Sequence, residues 1–448
     1  MKLWDKGISV DKVIEQFTVG KDRELDSMLA PFDVLGSMAH VSMIASIGLI
    51  SKEELLVILK ELKALYDLSI QEGLQVEEGT EDIHSQVEQM LTEKLGDLGK
   101  KIHSGRSRND QILLDLRLFT RSGLEDIVRK TETLAQALLS NAEKHKNILI
   151  PGYTHLQVAM PSSFGLWFGA YAESLADDLQ MLLAAWKIIN QNPLGSAAGY
   201  GSSFPLNRSM TTRLLGFEDL NYNVVYAQMG RGKTERVVTA ALANLAATLA
   251  KMAGDVCLFM SQNFGFVSLP DELTTGSSIM PHKKNPDVFE LIRGHCNHLQ
   301  GLPVQVTLIG NNLPSGYFRD YQVIKELYLP AFDTMMSCLD LATYAIDRIK
   351  VNPSILDDKK YDYLFTVEAV NELVMKGMPF RDAYKEVGRQ VAEGKFVPDK
   401  TVSHTHEGSI GNLCLGEIRQ KMERVLVSFG FKHYHEAIRE LLASANPG

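Results

Sequence analysis

Apolar residues recur along this chain at helical spacing rather than in strict alternation. Between residues 111 and 143, Leu113, Leu116, Leu124, Ile127, Leu134 and Leu138 follow at intervals of three, four, seven or eight, with no proline among them. That period marks one face of a helix of about thirty residues. Similar runs cover about 161–190, 234–262, 285–309 and 321–349, each preceded by a polar segment containing Gly or Pro. Five long helices in succession predict a bundle. Between Ala240 and Ala253, the positions Leu242, Leu245, Ala246, Leu249, Ala250 and Met252 are more than one apolar stripe needs, so this helix requires partners on two sides. In a soluble protein that points to packing between copies of the chain, with a buried central helix within a single chain as the alternative. Strand signals are scarce, and the expected class is all-α. Shorter helical segments precede residue 100, and Val351-Asn352-Pro353-Ser354 reads as a helix stop and linker. The division expected is an N-terminal helical domain over 1–106, a central long-helix bundle over 107–352 and a C-terminal helical domain over 353–448.

With 448 residues, 45% of them hydrophobic, the chain can bury large cores. Cys257, Cys296, Cys338 and Cys414 are far apart and form no CxxC pair, so neither a zinc site nor a disulfide framework is expected, and a reducing cytoplasm is the natural compartment. The start, Met1 to Lys6, has no apolar signal-like run, and no later stretch offers about eighteen uncharged apolar residues in a row, so no membrane insertion is expected. A net charge of −9 argues against nucleic acid, which usually requires a basic face. The expected partners are small molecules and further copies of the chain. If the substrate is an anion, an acidic chain must concentrate its cations locally.

Five polar segments are candidates to carry chemistry, and three of them hold Lys or Arg. Thr275 to Asp287, a Gly-containing loop holding Ser277, Lys283, Lys284 and Asn285, lies between two long helices where a shorter connector would do. As pattern alone it is either functional or a solvated loop. His103 to Gln111 carries Arg106 and Arg108 one residue apart with Asn109 adjacent; paired guanidinium groups suit carboxylates, although the segment also reads as a charged helix cap. Pro151 to Gln157 places Thr154 and His155 between helices, where a lone histidine is often structural. In Thr80-Glu81-Asp82-Ile83-His84, Thr80 is a plausible N-cap that puts His84 on the opening turn of a helix. Ser315 to Lys325 offers Tyr317, Gln322 and Lys325 at the start of another, which taken alone reads first as an exposed helix cap.

Together these segments resemble the fumarase/aspartase superfamily. Gly276 to Pro286 is similar to its GSSxMPxKxNP signature, and the likeness extends from about residue 33 to 390. His103 to Gln111 resembles the HTGRSRNDQ run of the argininosuccinate lyase branch; Gly152 to Gln157 resembles its GYTHLQ, and Lys376 to Arg381 its KGMPFR. The resemblance implies three helical domains, with the central helices of four chains merged in a homotetramer whose active sites each draw on three subunits. It implies a carbon–nitrogen lyase that releases fumarate from argininosuccinate by reversible anti-elimination, the last step of arginine biosynthesis, using neither metal nor organic cofactor. By matched position, Ser277 is the general base, His155 assists proton delivery to the leaving nitrogen, and Lys283 stabilises the charge that develops. Asn109, Thr154, Tyr317, Gln322, Lys325 and Asn285 bind substrate, with Arg108, Arg106 and His84 near its carboxylates or in support. Another fumarate-releasing lyase, of adenylosuccinate or aspartase type, is the alternative within the superfamily; a non-catalytic structural role is a more distant one.

Several positions depart from the branch pattern. Leu3-Trp4-Asp5-Lys6-Gly7 stands for LWGGRF, and Phe17 to Arg23 replaces a segment that normally offers a substrate-binding serine, so no serine is assigned there. His282 takes the place of a common glutamine, Phe318-Arg319 that of an asparagine-lysine pair, and Gly230 to Arg236 differs from the usual SERD-type sequence. Drift toward a modified arginine precursor is one consequence such changes allow.

Overall fold

The computed structural model describes residues 12–77 and 79–445; Met1 to Lys6 and the Leu3–Gly7 motif therefore lie outside the described residues. The five long helices are present as Arg108–Lys144, Phe164–Ile189, Lys233–Met260, Asp287–Gln300 and Tyr321–Ile346. Each packs on the next, and the fifth returns to the first, which closes a ring of helices around one continuous apolar core. The first of them is 37 residues long, about 55 Å at the usual helical rise. Its contact with the fifth depends on Gly123, where an added Cβ would collide with the Phe332 ring. Just beyond, the hydroxyls of Thr120 and Tyr328 share a hydrogen bond of 2.7 Å. By length and apolar composition Lys233–Met260 is the one helix among the described residues capable of crossing a membrane. Here it packs within the bundle against Phe164–Ile189 and Asp287–Gln300.

Chain direction reverses from each of these helices to the next, with the fifth parallel to the first, and this gives the bundle two distinct ends. At one end the side chain of Arg117 donates to the carbonyls of Ile189 (3.1 Å) and Gln191 (2.9 Å), and Arg231 donates to the carbonyl of Tyr321 (3.0 Å). The start of the first helix, the end of the second and the starts of the third and fifth are thus together. At the opposite end the Asn141 amide donates to the carbonyl of Ile346 (3.3 Å), and the Trp167 indole donates to Asp255 (3.0 Å).

Three expectations about individual elements are corrected. The run at 285–309 is two helices, Asp287–Gln300 and Leu302–Ile309. Gly301 lies between them, and Pro303, which has no N–H to donate, occupies the first turn of the second, where none is required. Residues 161–163 belong to a strand rather than to the second helix, since Leu149–Thr154 and Gln157–Ser163 form an antiparallel hairpin that joins the first two bundle helices. Asp82 caps Ile83–Leu95, its carboxylate accepting the Ser85 N–H at 2.8 Å, and Thr80 does not. His84 does sit on the opening turn, as expected.

Helices Ala30–Ser46, Lys52–Gln71 and Ile83–Leu95 precede the bundle, and Ala30–Ser46 lies directly on Arg108–Lys144. After the bundle, Thr366–Met375 and Phe380–Ala392 share a small core of their own around Val370, Ala383 and Val387. Leu415–Val427 and Phe431–Ala443 fold back on the bundle instead. There the buried Arg121 donates to the carbonyls of Leu215 (2.9 Å) and Gly216 (2.6 Å), while its guanidinium lies 4.0 Å from the Tyr434 ring centre.

Candidate active site

Helix starts concentrate the polar groups at the first end of the bundle. Ser107 opens Arg108–Lys144 with a capping box: its hydroxyl accepts from Asn109 N (3.2 Å), and Asp110 accepts from Ser107 N (2.8 Å). The other Asp110 oxygen receives the N–H groups of Gly195 and Ala197, both at 2.9 Å, and this pins the Pro193–Ala197 turn against the helix start. Burial raises the Asp110 pKa to about 6 despite those donors. Asn109, held half-buried by this cap, faces a cavity of about 210 Å³.

That cavity unites residues that are far apart in sequence. Its wall includes His84, Arg108, Asn109, Tyr317, Gln322 and Lys325, six of the residues singled out above. Arg108 is clamped by Glu81 (2.9 Å), Asp82 (3.2 Å) and the Ser85 hydroxyl (2.7 Å). Gln322 donates through its amide to the Thr18 carbonyl (2.8 Å), and its amide oxygen accepts from Arg319 Nε (3.0 Å). Lys325 Nζ lies 2.6 Å from Asp22 and 2.6 Å from Asp26. Burial works against the Lys325 charge, but Asp26 and Asp22 outweigh it and raise the pKa above the ordinary lysine value.

Arg106 stands apart from these six residues. It does not line the cavity but turns inward, fully buried, and donates to the Ser37 hydroxyl at 3.0 Å. It belongs to a buried charge cluster with His84, Asp33 and Asp115. His84 Nδ1 is 2.8 Å from Asp33 and at ion-pair range, 3.4 Å, from Asp115. Among the described residues, one oxygen of Asp33 and both of Asp115 find no hydrogen-bond partner. These three ligand-type side chains lie within 4.8 Å of one another, close enough to surround a cation. The imidazolium and the neighbouring Arg106 already supply the positive charge that two carboxylates need. Burial alone would push the imidazole down, yet Asp33 and Asp115 overcome it and raise the His84 pKa to about 10.

This shift has a measurable consequence. Because folding raises the pKa from 6.5 to about 10, protonated His84 stabilises the fold fully below about pH 6.5, and the contribution fades as pH climbs toward 10. The melting temperature is therefore expected to fall between pH 7 and pH 10, and His84→Gln should start lower and flatten the slope. An unchanged slope in the variant would mean that another group titrates.

The remaining site residues are at the other end of the molecule. Thr154 and His155 occupy the tip of the hairpin, exposed, with the register closing through Thr154 opposite Gln157. His155 and Leu156 form its two-residue turn at φ +54 and +56, where Asn or Gly would be usual. Left-handed backbone at a β-carbon-bearing pair is strained, and such strain tends to accompany sites. Gly152 permits the hairpin to close, since a Cβ there would stand 2.9 Å from the Met160 carbonyl oxygen. The loop of Ser277, Lys283 and Asn285 also emerges at this end, after Val267–Ser268 has paired with Lys350–Val351 beyond the last bundle helix. Asn285 N donates to the Thr275 carbonyl at 2.9 Å and closes the base of the loop. Inside it, the Ser277 hydroxyl oxygen accepts the N–H groups of Ile279 (3.3 Å) and Met280 (3.2 Å), donors that favour negative charge on that oxygen. None of Thr154, His155, Ser277, Lys283 and Asn285 lines the cavity.

Sequence reasoning assigned no role to Asp22, Asp26, Glu81 or Asp82, although all four line the cavity. Acidic residues give no anion-site signal by themselves. Their positions became meaningful only when Lys325 and Arg108 were found beside them. Of the divergent segments, 318–319 places Arg319 in the cavity wall, while in 230–236 the buried Arg231 and Glu235 pair at 2.8 Å below it.

A family model described as "Lyase" matches residues 6–301. Argininosuccinate lyase of Parabacteroides distasonis is 64% identical over 98% of this chain and 99% of its own length, and that of Bacteroides thetaiotaomicron is also 64% identical over 98% and 99%. The argininosuccinate lyase of Thermotoga neapolitana is 38% identical over 88% of this chain and 99% of its own. Among solved structures, EDDS lyase in complex with formate superposes with a TM-score of 0.80 at 21% identity, covering 98% of this chain and 96% of that one. A fumarate lyase:delta crystallin from Brucella melitensis bound to cobalt gives a TM-score of 0.69 at 17% identity over 90% and 91%. These two likenesses establish the helical fold, and the near-full-length identities establish that the chain belongs to the argininosuccinate lyase family.

Proposed function

We propose that the chain cleaves argininosuccinate to arginine and fumarate in active sites built between subunits of a homotetramer. The observation that carries this reading is the division of the site residues between the two ends of a bundle about 55 Å long. A twofold axis that reverses the bundle direction sets the cavity end of one chain beside the loop end of another. Asn109 of one subunit then meets Ser277 and His155 from its neighbours. The three-part division at residues 1–106, 107–352 and 353–448 belongs to the same proposal, as do a cytoplasmic setting and a small dicarboxylate substrate.

The chemistry follows from the residue types. Ser277, as alkoxide, removes the proton from the carbon beside a succinyl carboxylate. The electrons move onto that carboxylate as an aci-carboxylate, whose extra charge requires preorganised donors. Lys283 and Asn285 supply them, each well-placed donor contributing about 3–4 kcal/mol to the transition state. Collapse of the carbanion breaks the C–N bond, and the guanidino nitrogen leaves with a proton delivered with the help of His155. Asn109, Thr154, Tyr317, Gln322 and Lys325 hold the substrate, with Arg108 close to its carboxylates and His84 and Arg106 in support from behind the wall. The Ser277 loop, exposed over 278–284 and closed at its base by Asn285 N on the Thr275 carbonyl, suits closure over the bound substrate. No step calls on anything beyond the protein's own side chains and backbone.

The test is an absorbance assay for fumarate with purified protein. Fumarate should appear from argininosuccinate and not from adenylosuccinate or aspartate. Release from adenylosuccinate or aspartate alone would transfer the chain to that alternative.

A further inference from the structure

The hairpin that carries His155 is irregular below its tip. Ala159 and Met160 together stand opposite the lone Gly152, because the pairing runs Pro151 with Pro161 and then Tyr153 with Val158. That is a bulge, and a bulge bends and twists the ladder, so the strands beneath it do not fix the direction of the tip above it. Above it the pairs are Tyr153 with Val158 and Thr154 with Gln157. From Tyr153 to Val158, every residue is exposed except Tyr153. The tip also contains the left-handed pair His155 and Leu156, a conformation that persists where the surrounding structure over-determines it.

The Tyr153 ring is what joins the tip to the body of the protein. Its centre lies 5.5 Å from that of Phe264, edge to face, and 6.4 Å from that of Phe266, inclined at 28°, and its hydroxyl donates to that of Tyr361 at 3.4 Å. The bed beneath it is rigid. Phe266 is fully buried, its N–H donates to the Phe259 carbonyl (2.9 Å), and its carbonyl accepts from Asn352 N (2.8 Å). Its ring centre is 5.2 Å from that of Phe259, at the end of the third bundle helix. We propose that Tyr153 is a positioning residue for the elimination: seated on these rings, it sets the bearing of the hairpin tip and with it the place of the His155 imidazole. This rests on the role proposed above for His155 and goes beyond it, since it makes the rate depend on a side chain that acts through His155 and not on the substrate.

A double-mutant cycle on the intact enzyme separates this role from general support of the fold. Tyr153→Leu should lower kcat by roughly 10–100-fold, the scale on which a displacement of about 1 Å is felt, while KM changes less. Tyr153→Phe keeps the ring and should retain most of the rate. In a His155→Asn background, with the residual rate read at high enzyme concentration, Tyr153→Leu should cause no further loss of kcat, because the group it aims is gone. A normal kcat in Tyr153→Leu would overturn the proposal, and so would an equal fractional loss in both backgrounds, which is what a loosened fold produces. If Tyr153→Leu does not fold, Phe264→Leu removes a ring from the same bed and is read in the same cycle with the same outcomes. Should wild type release no fumarate from argininosuccinate, the function itself falls. The bearing of the tip is then judged from a crystal structure of the variant, where a displaced backbone at His155 is expected and an unmoved one would overturn the proposal.

Discussion

Ser277→Ala is expected to lower kcat by roughly 10²–10⁴-fold, the usual span for loss of a positioned proton-transfer group, with little effect on assembly. Among the described residues, the side chain's hydrogen bonds are those it accepts from the N–H groups of Ile279 and Met280 inside an exposed loop. Removing its oxygen therefore leaves no buried donor unpaired, and the melting temperature should hardly move. The same two N–H groups are the reason to expect a large catalytic effect. They stabilise oxygen when it bears charge, which an ordinary serine hydroxyl does not do at neutral pH, and Lys283 on the same loop adds a cation. Steady-state rates, together with a thermal melt of the tetramer, check both halves of the expectation. A variant with near-normal kcat would remove Ser277 from the base role, and a variant that is inactive because it has unfolded would contradict the loop's structural independence.

How much of this was legible in the sequence differs by element, for physical reasons. Long helices announce themselves because the apolar period repeats many times, and four of the five runs are right to within three residues; the fifth breaks at Gly301 ahead of Pro303, punctuation that was readable but overridden by the apolar residues on both sides. The hairpin was missed because Pro151, Gly152 and Pro161 obscure its alternation and because His155-Leu156 lacks the Asn-Gly pair that marks a two-residue turn. Site residues were legible where several polar types are crowded within one segment, as at His103 to Gln111 and Thr275 to Asp287. Asp22 and Asp26 carry no such signal. Their meaning depends on a lysine about 300 positions away, a relation only the folded chain reveals. The inward turn of Arg106 was hidden for a similar reason: spacing gave two arginines at a helix start, whereas burial against Asp33 and Asp115 separates one of them from the cavity. The separation of Ser277 and His155 from Asn109 within one chain could not be read from motif order, because alternating helix direction decides which ends meet.

That separation is the basis of the most direct test. Two inactive variants are prepared, one altered at Asn109 on the cavity end and one at His155 on the hairpin tip, then mixed, dissociated and reassembled. If each site takes Asn109 and His155 from different subunits, equal mixing leaves about a quarter of the sites with both intact residues, and that share of wild-type kcat should return. Each variant reassembled alone should stay inactive. Mixed assemblies that form, as shown by mass or by paired affinity tags, yet recover no activity would contradict the claim that the two ends of the bundle are joined only between neighbouring chains.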